Sequence, residues 1–156
     1  MNNNKKIALL DLEKSEPYKV FSNYFNEAAK CHQKSIDAIA ISSLNSSLNE
    51  VSSRFVNLKY IIGDEWIFFS NYKSPKAKDF ESHDQISALI FWESINIQIR
   101  LKAKIFKSSK KISDDHFMKR SKEKNSLAIS SSQSQIISSY EDVKEKYFDV
   151  RNNLPK

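Results

Sequence analysis

The chain has a single glycine, Gly63, and a single cysteine, Cys31, among its 156 residues. One glycine cannot form the glycine-rich phosphate loops of dinucleotide-binding and P-loop proteins, or the G-x-S-x-G turn of many serine hydrolases. One cysteine cannot form an internal disulfide, which is typical of a reducing compartment, and we expect a cytoplasmic protein. No apolar run approaches the roughly 20 residues of a membrane-spanning helix.

Positive charge exceeds negative charge along the chain. The 25 Lys and Arg residues outnumber the 19 Asp and Glu residues, and the formal net charge is +6. Such an excess favours anionic partners, among which nucleic acids, membrane surfaces and phosphorylated small molecules all fit. The three histidines, His32, His83 and His116, lie far apart, and no carboxylate pattern recurs around them. We therefore predict no metal site.

Hydrophobic periodicity predicts a mainly β protein of the α+β class. An amphipathic helix is predicted from Pro17, and its apolar face consists of Val20, Phe21, Tyr24, Phe25 and Ala28. Three strands in a meander follow, with Gly63 in the second turn. Residues 74–84 suit a short helix, and two long strands follow. In the second strand apolar residues alternate with a polar face of Gln98, Arg100, Lys102 and Lys104. Helical periods then begin with Ser113 as the predicted N-cap. Five or six strands with one polar face are typical of a small split or closed barrel. We expect one domain over residues 1–156, of which residues 1–15 could be a flexible segment.

Two segments of the predicted meander carry cations. In "RFVNLK", residues 54–59, strand alternation places Arg54 and Lys59 on opposite faces. The next strand ends near Ser70 and is followed by "KSPKAK". Hydroxyls, backbone N–H groups and lysines at a strand end can surround an anion, so the pattern favours a phosphate site. A solvated, lysine-rich surface is the alternative.

Four segments, taken in order, resemble the pyridoxamine 5′-phosphate oxidase family. They are "RFVNLK" (54–59), "IFFSNYKSPKAKDF" (67–80), "ALIFWESINIQIRLKAKI" (88–105) and "SDDHFMKRSKEKNSLAISSSQS" (113–134). The resemblance begins near "EPYKVF" and covers most of the chain. It implies a six-stranded antiparallel FMN-binding split β-barrel with flanking helices. It also implies a homodimer with FMN at the interface.

The resemblance, carried over position by position, implies which residues bind FMN. Lys76 matches the lysine for the FMN phosphate, and Gln98 matches the glutamine beside the flavin ring. Pro75 stands where the family usually has an arginine, so one cationic contact is missing. The implied cofactor residues are Arg54, Phe55, Val56, Asn57, Leu58, Lys59, Phe69, Ser70, Lys76, Gln98, Gln133 and Ser134.

For the substrate, the resemblance implies a phosphate held by Lys59 and by a helical cluster. The family's tyrosine, arginine and serine match His116, Arg120 and Lys124, so only the arginine is kept. The family continues beyond the position of Lys156 into a Trp-Gly-Gly turn and an Arg/His-rich substrate motif, which the sequence does not contain. We therefore expect firmer FMN binding than substrate oxidation. No catalytic residue is assigned, because the cofactor carries the redox chemistry.

The sequence leaves three alternative functions open. The first is an FMN-dependent oxidase that converts a phosphorylated B6 vitamer, pyridoxamine or pyridoxine 5′-phosphate, to pyridoxal 5′-phosphate with O2. The second is a split-barrel reductase or oxidase that uses FMN with a different substrate, since the substrate positions are altered. The third is a basic module for nucleic acid, but neither a recognition helix nor an RNP-like strand is visible. We therefore expect a phosphorylated small molecule as partner, and neither nucleic acid nor membrane.

Overall fold

A six-stranded sheet and five α-helices make up the computed structural model of the chain, which describes residues 7–131 and 136–154. The strands are β1 (Ala8–Leu10), β2 (Ala38–Asn45), β3 (Glu50–Ile62), β4 (Glu65–Phe68), β5 (Gln85–Trp92) and β6 (Ile97–Lys104). The helices are α1 (Glu16–Lys30), α2 (Pro75–Ser82), α3 (Lys110–Lys119), α4 (Lys122–Ser130) and α5 (Tyr140–Asn153), with a 3₁₀ turn at Glu93–Ile95. The expected α+β class with six strands is confirmed.

The long strand β3 belongs to two groups of strands. Its first part, Glu50–Asn57, pairs antiparallel with β2, which pairs in turn with β5, and β5 pairs with β6. Its last part, Leu58–Ile62, lies between β4 and β1. The register with β4 shifts between Leu58 and Tyr60, which marks a β-bulge. A bulge bends and twists a strand, and this one lies where β3 passes from one group to the other.

Strand β1 differs from the sequence-based expectation in two ways. Its residues pair in parallel with Tyr60, Ile61 and Ile62, so one pairing in the sheet is not antiparallel. It also lies inside residues 1–15, where the pattern favours a flexible segment. Three residues are too few to show a periodicity. Residues 7–10 are ordered by tertiary contacts, since Ile7 is fully buried and Gly63 N–H donates to the Leu10 carbonyl at 3.0 Å.

The core lies between α1 and the inner face of the sheet. Phe21, Phe25 and Ala28 are the buried residues of α1, as its helical spacing predicts. Val20, which is predicted on the same apolar face, is 39% exposed. Phe21 packs against Trp92 with ring centroids 5.7 Å apart, and Trp92 donates through Nε1 to the Ile36 carbonyl at 3.2 Å. The indole therefore fills the core while its polar group is satisfied, as a buried tryptophan requires.

The chain divides into two compact units. One unit comprises residues up to Ser70 together with Asp79–Phe106, and contains the whole sheet and α1. The other comprises Asn71–Lys78 and the residues from Lys107 onward, with α3, α4 and α5. The expectation of one domain over residues 1–156 stays a prediction.

The helices of the second unit begin at serine caps. Ser109, Ser121 and Ser139 each accept a hydrogen bond from a backbone N–H of the first turn of α3, α4 and α5. Ser113 is therefore not the N-cap of α3, because the helix begins one turn earlier at Lys110. None of the helices within the described ranges is long and apolar enough to cross a bilayer.

Candidate functional site

Arg54 lies on the inner face of β3 and is held by the neighbouring strand. Its Nη1 donates to Ser43 Oγ at 2.7 Å and to the Ile41 carbonyl at 3.4 Å. The side chain is 22% exposed, so it is largely packed inside the protein. A planar guanidinium that is fixed in this way is suited to binding an anion.

Asp79 of α2 completes a ring of contacts with Arg54 and Ser43. Its Oδ2 lies 3.6 Å from Arg54 Nη2 and accepts from Ser43 Oγ at 2.9 Å. Its Oδ1 accepts from Asn45 Nδ2 at 3.1 Å. Asp79 is 5% exposed and Ser43 2% exposed. The ring is therefore a buried polar cluster in which donors face acceptors, as burial demands.

Lys59 follows the buried Leu58 at the bulge of β3. Its Nζ donates to Asp37 Oδ2 at 2.7 Å, and Asp37 is 5% exposed. Strand alternation puts Lys59 on the opposite side of β3 from Leu58 and Arg54. The two cations of "RFVNLK" are thus engaged with different aspartates.

The remaining cofactor positions of β3 divide between the two faces of the sheet. Val56 and Leu58 point to the inner face, where Leu58 is 1% exposed. Phe55 and Asn57 are exposed, Phe55 by 76%. The sheet therefore separates these four neighbouring residues into a core pair and a solvent-facing pair.

The segment after β4 forms a local network around Ser74. Ser74 is fully buried, and its Oγ donates to the Asn71 carbonyl at 2.6 Å while it accepts from Lys76 Nζ at 3.2 Å. Lys76 lies in the first turn of α2, as predicted. Phe69 stacks edge-on against Tyr60 with centroids 6.1 Å apart, and Ser70 is half-buried.

Gln98 lies on β6, on the face of the sheet opposite to the core. It is exposed and pairs across the strands with Phe91, itself 54% exposed. Leu89 on the same face pairs with Arg100, and the row continues through Ala40 to Phe55. We call the surface made by Phe55, Leu89, Phe91 and Gln98 the outer face. It is a mixed apolar and polar surface of one sheet.

The predicted substrate residues lie in the helical unit. His116 is in the last turn of α3, Arg120 is its C-cap, and Lys124 is an exposed residue of α4. Arg120 Nη2 donates to the Lys124 backbone carbonyl at 2.9 Å. The structure therefore brings Arg120 to the backbone of Lys124. The predicted cofactor residues Gln133 and Ser134 lie outside the described residues.

Sequence reasoning missed four polar residues of these clusters: Asp37, Ser43, Asn45 and Asp79. One signal was available for Ser43. It continues the inward alternation of Ile39 and Ile41, and a hydroxyl at an inward position needs a partner. Asp79 had no comparable signal, because its partners Ser43 and Arg54 are distant in sequence. The helical spacing of neighbouring residues does not show that Asp79 is buried.

Several curated proteins are similar to this chain. The pyridoxine/pyridoxamine 5′-phosphate oxidase of Leptospira biflexa is 33% identical over 132 residues, which are 85% of this chain and 62% of that protein. The protein of the same name from Aliarcobacter butzleri is 31% identical over 92% of this chain and 67% of its own length. The chain thus spans less than two thirds of the Leptospira relative. A search with family profiles found no match.

Two solved structures share the fold. PhzG from Burkholderia lata 383, solved with tetrahydrophenazine-1-carboxylic acid, superposes with a TM-score of 0.82 at 20% identity, over 91% of this chain and 71% of that one. A pyridoxamine 5′-phosphate oxidase-related, FMN-binding protein from Nostoc punctiforme gives a TM-score of 0.64 at 9% identity, over 84% and 72%. The fold is that of the FMN-binding split barrels. With the identity and coverage of the curated relatives, these findings mean that the chain belongs to the pyridoxine/pyridoxamine 5′-phosphate oxidase family.

Proposed function

We propose that the chain is an FMN-dependent oxidoreductase that acts on a phosphorylated B6 vitamer. The observation that carries the proposal is the guanidinium of Arg54. The family resemblance assigns this residue to FMN, and its side chain is hydrogen-bonded and only 22% exposed. Such a group loses little conformational freedom when it binds an anion.

The chemistry of the available donors fits FMN. A phosphate monoester carries about two negative charges at neutral pH, and Arg54 offers it a charge-assisted donor. The resemblance adds Lys76, whose Nζ is oriented by Ser74 at 3.2 Å. Gln98 can both donate to and accept from the polar edge of a flavin ring. Bound FMN would supply the redox chemistry, and the chain would bind and orient its reactants.

The positions of Arg54 and Gln98 support a homodimer with FMN at its interface. Strands β2 and β5 separate β3 from β6, so the strands that carry the two residues are about 14 Å apart across the sheet. They also lie on opposite faces. One flavin held by both residues of a single chain would have to wrap around the sheet. In a two-fold dimer, Gln98 of one protomer would serve the site that contains Arg54 of the other.

The outer face supplies a surface for that dimer. Phe55, Leu89 and Phe91 are 76%, 37% and 54% exposed, although all three are large and apolar. Clustered exposed apolar side chains are typical of interaction sites. We propose that the outer face of each protomer packs against the partner subunit, which removes these side chains from water.

For the substrate, we propose that Lys59, Arg120, Lys124 and His116 contribute to phosphate binding, and that O2 accepts the electrons. Cytoplasmic localisation stays a prediction from the sequence. A second function, an FMN protein with another substrate, is favoured by the contact between Arg120 and the Lys124 carbonyl at 2.9 Å. This contact uses a donor of Arg120, the one retained residue of the helical substrate cluster.

The proposal is tested by the absorbance of the purified protein and its response to substrate. We expect a flavin band in the visible blue, which pyridoxamine 5′-phosphate bleaches in the absence of air. Admission of air should restore the band. A flavin band that another donor bleaches, but pyridoxamine 5′-phosphate does not, would favour the second function. Absence of any flavin binding by the protein incubated with excess FMN would refute both.

A further inference from the structure

The two buried acids of the described chain each contact one cation of β3. Asp37 pairs with Lys59 at 2.7 Å, and Asp79 lies 3.6 Å from Arg54. The second pair is unusual for an anion site, because the guanidinium that is proposed to bind the phosphate also contacts a carboxylate. Asp79 therefore has two opposing effects on that site.

The first effect is orientation. Arg54 Nη1 donates to Ser43 Oγ at 2.7 Å, so the Ser43 hydroxyl hydrogen is available to Asp79 Oδ2, which lies at 2.9 Å. Asn45 holds the other carboxylate oxygen at 3.1 Å. Asp79 thus fixes Ser43 as an acceptor for Arg54 and also contacts Arg54 directly. Without these contacts the guanidinium would be free to adopt other rotamers.

The second effect is charge. The guanidinium and the carboxylate together carry no net charge, so the pair attracts an anion less than Arg54 alone would. At an effective dielectric constant of about 20, like charges several ångströms apart still repel appreciably. Asp79 is 5% exposed, which limits screening of this repulsion by solvent.

We propose that Asp79 is a positioning residue that orients Arg54 and, through its negative charge, holds down the affinity of the site for a phosphate dianion. The inference rests on the proposed function, because it requires that Arg54 meets the FMN phosphate. It adds a residue that tunes how tightly the flavin is held. The two effects of Asp79 can be separated by substitution.

The test compares Asp79→Asn with Asp79→Ala by titration of the flavin-free protein with FMN. Asparagine keeps the size and an acceptor oxygen for Arg54 but removes the charge, so FMN should bind about tenfold more tightly. Alanine removes both the charge and the contacts that orient Arg54. Its gain in FMN affinity should therefore be smaller than that of asparagine. Riboflavin lacks the phosphate, so its affinity should be the same in all three proteins.

Two further variants accompany these, one as a charge control and one as a separate test of the orientation effect. Asp84→Asn also removes one negative charge, but from an ion pair with Lys104 in which the side chains are 56% and 74% exposed, and it should leave FMN affinity unchanged. Ser43→Ala keeps all charges and removes the hydroxyl that links Asp79 to Arg54. It should weaken FMN binding severalfold without affecting riboflavin, and it tests the orientation effect if Asp79→Asn does not fold.

The inference is overturned if folded Asp79→Asn binds FMN no more tightly than the native protein, or if riboflavin tightens equally. If Asp79→Asn does not fold, unchanged FMN affinity in Ser43→Ala overturns it. Failure of the native protein to bind FMN would refute the proposed function as well, which distinguishes the two outcomes.

Discussion

Lys59 and Asp37 form an ion pair in which Nζ and Oδ2 are 2.7 Å apart, with the side chains 32% and 7% exposed. The same aspartate accepts a hydrogen bond at its backbone carbonyl from Leu58 N–H at 2.8 Å. The start of β2 is thus tied to the bulge of β3 twice. A buried carboxylate is costly to leave without its cation, so this pair should matter for stability.

Replacement of Lys59 by methionine should lower the free energy of unfolding by about 1–3 kcal/mol. The variant keeps the aliphatic stem but removes the cation that faces the buried Asp37 carboxylate, and partial exposure of Lys59 reduces the loss in stability. Urea unfolding measures it. Lys104→Met is the matched control, because its partner Asp84 is exposed, and the change should be about 0.5 kcal/mol or less. Equal losses in both variants would contradict the expected role of burial.

Phe25→Ala should lower the free energy of unfolding by about 3–5 kcal/mol. Phe25 is fully buried and lies 6.0 Å from Trp92 between ring centroids, so its removal leaves a cavity in the core. Val20→Ala on the same helix is the control. Val20 is 39% exposed, and its replacement should change stability by about 0.5 kcal/mol at most. Thermal or urea unfolding distinguishes these values.

Lys76→Ala should weaken FMN binding by about ten- to a hundredfold, as expected for the loss of one charge-assisted contact. Fluorescence titration with FMN measures this effect, and riboflavin should bind unchanged because it lacks the phosphate. Lys78→Ala is the control, since Lys78 is an exposed residue of the same helix. If Lys76→Ala binds FMN as the native protein does, Lys76 is not a phosphate ligand.

Phe91→Glu should convert the proposed homodimer to monomers and weaken FMN binding. The substitution places a charge in the outer face, where a dimer would bury it without a partner. Light scattering measures the mass, and Leu48→Glu is the control because Leu48 is 66% exposed in the turn between β2 and β3. A native protein that is monomeric and still retains FMN tightly would refute the shared site.

His116→Tyr combined with Lys124→Ser should raise kcat/KM for pyridoxamine 5′-phosphate severalfold. The double variant restores the side chains that the family resemblance implies for the substrate phosphate, beside the retained Arg120. Steady-state oxidation in air measures the gain, with Lys119→Ser, an exposed lysine at the end of α3, as the control. A loss of activity would show that His116 and Lys124 serve a different substrate.

The sequence by itself determined the elements with clear periodicity. The apolar positions of α1 predicted Phe21 and Phe25 in the core, and the alternation along β6 predicted a polar face with Gln98. The ordered segments from "RFVNLK" onward also identified the family. These features could be predicted because they depend on the spacing of residues along the chain, and that spacing can be read directly from the sequence.

Only the tertiary structure decided which partners the predicted cations have. Arg54 meets Asp79 and Lys59 meets Asp37 because strands and a helix distant in sequence pack together, and no local pattern encodes such pairs. The parallel pairing of β1 has the same origin, since three residues have no period but can be ordered by the edge of β3. Long-range packing therefore set the charge of the candidate site, while local patterning determined which residues could form it.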